Sequence, residues 1–158
     1  MGPHGSYAGD GAYPSSYYAD SRNDIRSPQK LTGTAEIDIC IVGAGYTGLS
    51  AAIHLAERGY RTALVEGAGI GWGASGRNGG QIVNGLNADL PKIQKWFGAG
   101  VANSVGGLLQ EGARTIYRLV DQYGIDCDLK HGNVYTAFSD RQIRELAEMQ
   151  ALWRRHGM

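Results

Sequence analysis

The chain has 158 residues, a length usual for a single domain, and its 15 Lys+Arg balance 15 Asp+Glu. With no basic excess to hold nucleic acid or an anionic membrane surface, neither is expected as a partner. A hydrophobic content of 42% allows a packed core, and 25 glycines exceed average usage, the extra ones being concentrated at the N-terminus and between Gly67 and Gly80.

Residues 1–34 are rich in Gly, Ser, Tyr, Asp and Pro without a helical or strand period. They are read as a disordered extension. The tyrosines of "SYYADSR" could pack on a folded body, but nothing local requires it. Residues 37–42 then form a β-branched run bounded by polar residues and glycine, which predicts a buried strand. Cys40 lies in this run and is read as a buried small hydrophobe. It and Cys127 form no metal or redox spacing, so the chain is read as a reduced, cytoplasmic protein.

A helix is predicted over 45–58, with Leu49, Ala52, Ile53 and Ala56 at helical spacing and Gly59 as its stop. Residues 62–65 predict a second strand, ending in Glu66. "NADLPKIQKWFG" opens another element, and an amphipathic helix is predicted over 101–123. Residues 128–130 and 133–138 read as two strands joined by a turn through His131 and Gly132. Ser139 and Gln142 form a capping-box pattern, predicting a last helix over 140–156 with Ile143, Leu146, Met149 and Trp153 on one face. No run reaches the roughly 18 apolar residues that span a bilayer, and no secretory signal is evident. One βαβ unit is clear, and two parallel strands do not complete a doubly wound domain, so the remaining strands are expected outside these residues.

The chemistry concentrates at two glycine-rich turns. "VGAGYTG" places Gly43, Gly45 and Gly48 in a GxGxxG spacing between a predicted strand and helix. Gly43 permits the tight turn, Gly45 lets a pyrophosphate approach the backbone, and Gly48 lets helix and strand pack closely. The helix start offers unpaired N–H groups and a positive dipole end to phosphates. Glu66, 23 positions after Gly43, is placed to accept from an adenosine ribose, and its charge disfavours the 2′-phosphate of NADP. The fingerprint alone does not separate FAD from NAD. The second run, "GWGASGRNGGQ", carries five glycines with Ser75, Arg77 and Asn78. Such a loop after the second strand suits an extended ligand, with Gly79 and Gly80 allowing the main chain to lie against a flat ring. That favours FAD.

The stretch from "DICIVGAGYTG" through "GWGASGRNGGQI" resembles the N-terminal FAD-binding segment of the D-amino-acid-oxidase-like (DAO) family of flavin oxidoreductases. Within the family it is most similar to the branch of gamma-glutamylputrescine oxidases. The likeness covers roughly residues 16–158, including "SYYA" and "YGIDCDLKHGNVYTAFSDRQIRELAEM". It implies an α/β fold: residues 35–125 as the N-terminal portion of a Rossmann-like FAD-binding domain, and 126–158 as the start of an α+β substrate domain. It implies that Gly43, Ala44, Gly45, Tyr46, Thr47 and Gly48 wrap the FAD pyrophosphate, and that Glu66, followed by Gly67, holds the adenosine ribose. Trp72, Gly73, Ala74 and Ser75 would continue along the diphosphate. Arg77 and Asn78 would reach the ribityl and flavin region, with Gly79, Gly80 and Gln81 beside the isoalloxazine. The implied reaction is oxidation of the C–N bond of a small amine by FAD, with dioxygen reduced to hydrogen peroxide. Most of the substrate pocket would lie outside these residues, so no catalytic residue is assigned, and these residues alone are expected to be inactive.

Two other readings stand beside this one: a DAO-like dehydrogenase or oxidase of glycine, sarcosine or another secondary amine, and a non-catalytic fragment. His54 is read as a packing or surface histidine and His131 as a turn residue. Tyr117 and Tyr123 are read as core, and Arg154, Arg155 and His156 suit a helix C-terminus. No metal-ligand spacing is present, as expected where a flavin carries the chemistry.

Overall fold

The computed structural model describes residues 13, 15–23, 29–83 and 89–155. The chain forms two compact units, residues 1–80 and 81–158. Residues 1–12, 14 and 24–28 of the expected extension and the last residue of the expected final helix, His156, lie outside the described residues.

The first unit is built on β1 (Ile39–Val42), α2 (Tyr46–Glu57) and β2 (Thr62–Val65), preceded by a four-residue helical turn, α1 (Tyr17–Asp20). β1 and β2 pair in parallel, in the register Ile39↔Thr62 to Val42↔Val65, so the segment is a βαβ crossover. Asp38 fixes its base: its carboxylate accepts from the Arg61 backbone N–H at 2.8 Å and from the Arg61 guanidinium at 2.9 Å. These bonds hold the Asp38 carboxyl below its ordinary range. At the other end Gly43 N–H donates to the Val65 carbonyl at 2.8 Å, extending the ladder to the glycine turn.

Helix α2 packs on both strands, so Ile39 and Ile41 are half-buried while Cys40 and Val42 stand on the opposite face of β1. That face is open, with Val42 84% exposed and Cys40 exposed. The expectation of a buried Cys40 is therefore corrected. A parallel strand buries both faces only between two layers, and among the described residues one layer is present.

The extension expected to be disordered contains a capped turn. Ser16 Oγ accepts from Ala19 N–H at 3.2 Å at the start of α1. Tyr17 remains 77% exposed, and the tyrosine that docks on the unit is Tyr13, through its hydroxyl on Ile70.

The second unit contains α3 (Leu90–Phe97), α4 (Ala99–Tyr123) and α5 (Asp140–Arg155). Asp89 caps α3 by accepting from Lys92 N–H at 2.9 Å, with Pro91 in the first turn, where its missing N–H costs nothing. Gly98, at φ +87°, separates α3 from α4, and Leu90, Ile93 and Ala102, with Val105, form the small core between them. Gly124 ends α4 in the left-handed conformation. The capping box at α5 is formed in altered register: Ser139 Oγ accepts from Gln142 N–H at 3.3 Å, while Gln142 Oε1 accepts from Phe138 N–H at 2.7 Å, one residue before the cap.

The two strands expected at 128–130 and 133–138 are not formed. Strand-like composition supplies only the capacity to pair, and no neighbouring segment among the described residues offers a ladder. Val134 and Phe138 are accordingly 90% and 89% exposed. His131 rests against the Tyr117 ring at 4.9 Å, and Tyr123, expected in the core, is 51% exposed at the end of α4. Among the described residues no helix is long and apolar enough to cross a membrane.

Candidate functional site

The first glycine turn has the geometry its spacing predicts. Gly43 sits at φ +100°, a conformation that strains any side chain. A Cβ on Gly48 would overlap the Gly43 carbonyl oxygen and touch Leu64 of β2, so this glycine is what lets α2 start so close to the strand ends. Gly45 caps α2 without a side-chain bond, and the helix start leaves Thr47 and Gly48 N–H without an intrahelical acceptor. Close backbone and unpaired N–H groups at a helix start are features that suit an anion.

The second run is a compact turn tied to the first. Gly71 N–H donates to the Ala44 carbonyl at 2.9 Å, and Ser75 Oγ accepts from Tyr46 N–H at 3.0 Å, taking one of the free donors of α2. A Cβ on Gly45 would lie 3.0 Å from Ser75 Oγ, so the absent side chain also admits the loop. Ala74–Gly76 forms a single 3₁₀ turn. Within the run, Gly71 lies at φ +69°, and a Cβ on Gly76 would overlap the Gly71 carbonyl oxygen.

Side chains brace the rest. Asn78 Nδ2 donates to the Tyr46 hydroxyl at 2.9 Å and to the Ser75 carbonyl at 2.9 Å, while its Oδ1 accepts from Gly80 N–H at 2.9 Å. Arg77 Nε donates to the Trp72 carbonyl at 3.0 Å, and its guanidinium lies 4.6 Å over the Trp72 ring.

Glu66 leaves the end of β2 and turns toward the fingerprint. Its Oε2 accepts from Ala44 N–H at 2.7 Å and its Oε1 from Ala68 N–H at 3.0 Å. These donors, Ala44 first, hold the carboxyl below its ordinary value of 4.5 against the opposing effect of burial. A carboxylate that accepts one bond on each oxygen retains lone pairs for further donors such as sugar hydroxyls.

Of the residues predicted from sequence, the fold gathers Gly43, Ala44, Gly45, Tyr46, Glu66, Ser75 and Asn78 around the start of α2. Thr47 is exposed on the first turn, while Gly67, Gly73 and Ala74 line the loop surface and Trp72 is half-buried beneath Arg77. Gly79 and Gly80 close the first unit, and Gln81 opens the second. Sequence reading gave no role to Gly71, Gly76 or Tyr13. The five-residue spacing of Gly71 and Gly76, equal to that of Gly43 and Gly48, is the signal that could have found the first two.

Among the described residues no group of His, Cys, Asp or Glu could hold a metal. Residues 38–158 match the family described as DAO, FAD dependent oxidoreductase. The chain is 42% identical over 145 residues to the gamma-glutamylputrescine oxidoreductase of Escherichia coli (strain K12), a match covering 92% of this chain and 34% of that protein. It is 39% identical over 135 residues to the Haemophilus influenzae protein named "Probable oxidoreductase OrdL", covering 85% of this chain and 31% of that one. The chain thus spans about a third of the length of these curated relatives. No solved structure matches it.

Proposed function

Starting from a chain that belongs to the DAO family of FAD-dependent oxidoreductases, we propose that residues 38–81 are the adenosine-diphosphate and flavin-approach part of its FAD site, and that the whole protein oxidises a gamma-glutamylputrescine-like amine. The observation that carries the first half is the union of both glycine turns at one helix start, through Gly71 to Ala44 and Ser75 to Tyr46. The residues present fit the cofactor. Gly43 and Gly45 keep the turn bare of side chains, Gly48 lets α2 start against the Gly43 carbonyl, Thr47 and Gly48 supply N–H donors, and Glu66 supplies a carboxylate at the strand end.

Bound there, FAD supplies a two-electron acceptor for the C–N bond of the substrate. The chain's own residues bind and orient it. The α2 start and its dipole hold the pyrophosphate, and Glu66 accepts from the ribose hydroxyls while keeping the turn closed through Ala44. Ser75, whose hydroxyl keeps a proton after accepting from Tyr46, donates to the diphosphate. Arg77, Asn78, Gly79, Gly80 and Gln81 lead toward the flavin. Residues 126–158 begin the substrate domain.

The likeness to gamma-glutamylputrescine oxidoreductase supports that amine as substrate, and the proposal takes dioxygen as the acceptor. The complete protein should purify with flavin absorption, bleach anaerobically with gamma-glutamylputrescine, and form hydrogen peroxide in air. Bleaching by glycine or sarcosine instead would move the substrate to another branch, and a protein that takes up no flavin would overturn the proposal.

A further inference from the structure

The N-terminal segment meets the second glycine turn at one place. The Tyr13 hydroxyl donates to the Ile70 carbonyl at 2.6 Å. Gly69 is buried beneath the same ring, and a Cβ there would lie 2.7 Å from the hydroxyl oxygen and 3.0 Å from a ring carbon. Glycine at 69 is therefore the residue that admits the tyrosine. The guanidinium of Arg22 lies 4.0 Å over the Tyr13 ring, brought back by the turn that Ser16 caps and that continues through Ser21 N–H to the Tyr17 carbonyl at 2.8 Å. A cavity of about 110 Å³ lies between strap and loop, lined by Tyr13, Arg22, Trp72 and Arg77 among others. The anchor at Ile70 immediately precedes Gly71, whose N–H joins the loop to Ala44 of the fingerprint turn.

We propose that Tyr13 is a positioning residue: seated on Gly69 and clamped by Arg22, it fixes the start of the 71–80 loop against the fingerprint turn and so slows release of FAD. The loop-fixing half stands on the contacts alone, and the FAD half rests on the function proposed above. Without the hydroxyl, Ile70 loses its anchor. Without space at Gly69, the whole ring is displaced.

The test compares wild type, Tyr13→Phe, Gly69→Ala and the double variant of the complete protein by two readouts. The first is amide hydrogen exchange at Gly71, Gly76 and Arg77 in the flavin-free protein. The second is the rate at which flavin leaves the loaded protein. One net hydrogen bond predicts exchange and release faster by about two- to tenfold in Tyr13→Phe. Gly69→Ala should do at least as much, and the double variant should equal Gly69→Ala, because both changes remove the same contact. Thermal unfolding of the flavin-free protein should be nearly unmoved, which separates positioning from general stability. Unchanged exchange in Tyr13→Phe would overturn the proposal even if Gly69→Ala failed to fold. Faster exchange with unchanged flavin release would keep the strap and overturn its link to the cofactor. A wild type that takes up no flavin would overturn the function proposed above, while the exchange readout would still decide the strap.

Discussion

The two glycine-rich turns of the first unit share a backbone device and differ in the structure that holds it. In each, a glycine at positive φ presents a carbonyl oxygen that a second glycine, five residues on, approaches too closely for a Cβ: Gly43 with Gly48, and Gly71 with Gly76. Gly48 lies in a 12-residue helix packed on two strands, whereas around Gly76 there is only a 3₁₀ turn held by Asn78, Arg77 and Ser75. The first turn is fixed by secondary structure together with Glu66, and the second by its backbone bond to Ala44 together with side chains.

The largest expected effect comes from breaking the rigid member. Gly48→Ala sets a methyl against backbone that two strands hold, and should destabilise the chain by about 3 kcal/mol, measured by urea unfolding. Gly76→Ala meets the same obstacle in a turn free to shift, so the loss should be smaller, about 1–2 kcal/mol, and appear as faster amide exchange confined to residues 71–80. Asn78→Ala removes bonds to Tyr46, Ser75 and Gly80 on an exposed surface and should cost about 1 kcal/mol. Gly112→Ala serves as the opposing case. It lies within α4 with nothing near its Cβ position, so alanine should stabilise by about 0.5–1 kcal/mol.

The smallest effect concerns the clasp between the turns and β2. The Glu66 carboxyl is depressed by Ala44 and Ala68 N–H, so its folded pKa lies below its unfolded one. Its stabilisation is then complete above the unfolded value near 4.5 and fades as pH falls through the lower folded value. Urea midpoints of wild type and Glu66→Gln should therefore converge as pH drops below 4.5 and separate above it. Asp38 is lowered in the same direction and is common to both proteins, so the difference reports Glu66.

The βαβ unit was legible because its signals are local. Residues 39–42 and 62–65 carry β-branched and apolar runs, α2 shows helical spacing, and the Gly43, Gly45 and Gly48 fingerprint sits between them. The internal logic of the second turn was less so. That Gly76 must be glycine while Gly73 has open space at its Cβ position depends on where Gly71 turns its carbonyl, which no composition reveals. Burial of Cys40 failed as an expectation because it needs a second layer, and the strands at 128–138 failed because pairing needs a partner. Tyr13 was hidden inside a stretch whose glycine, serine and proline content resembles a linker. Its contact with Ile70 exists only because Gly69, 56 residues later in the chain, leaves room for the ring.

Whether the two turns form one FAD track is decided by titrating flavin-free complete protein with FAD and following flavin fluorescence in wild type, Gly76→Ala and Gly112→Ala. Gly76→Ala should weaken binding by about tenfold, equivalent to about 1.4 kcal/mol, with Gly112→Ala unchanged. Equal FAD affinity in wild type and Gly76→Ala would contradict a single track.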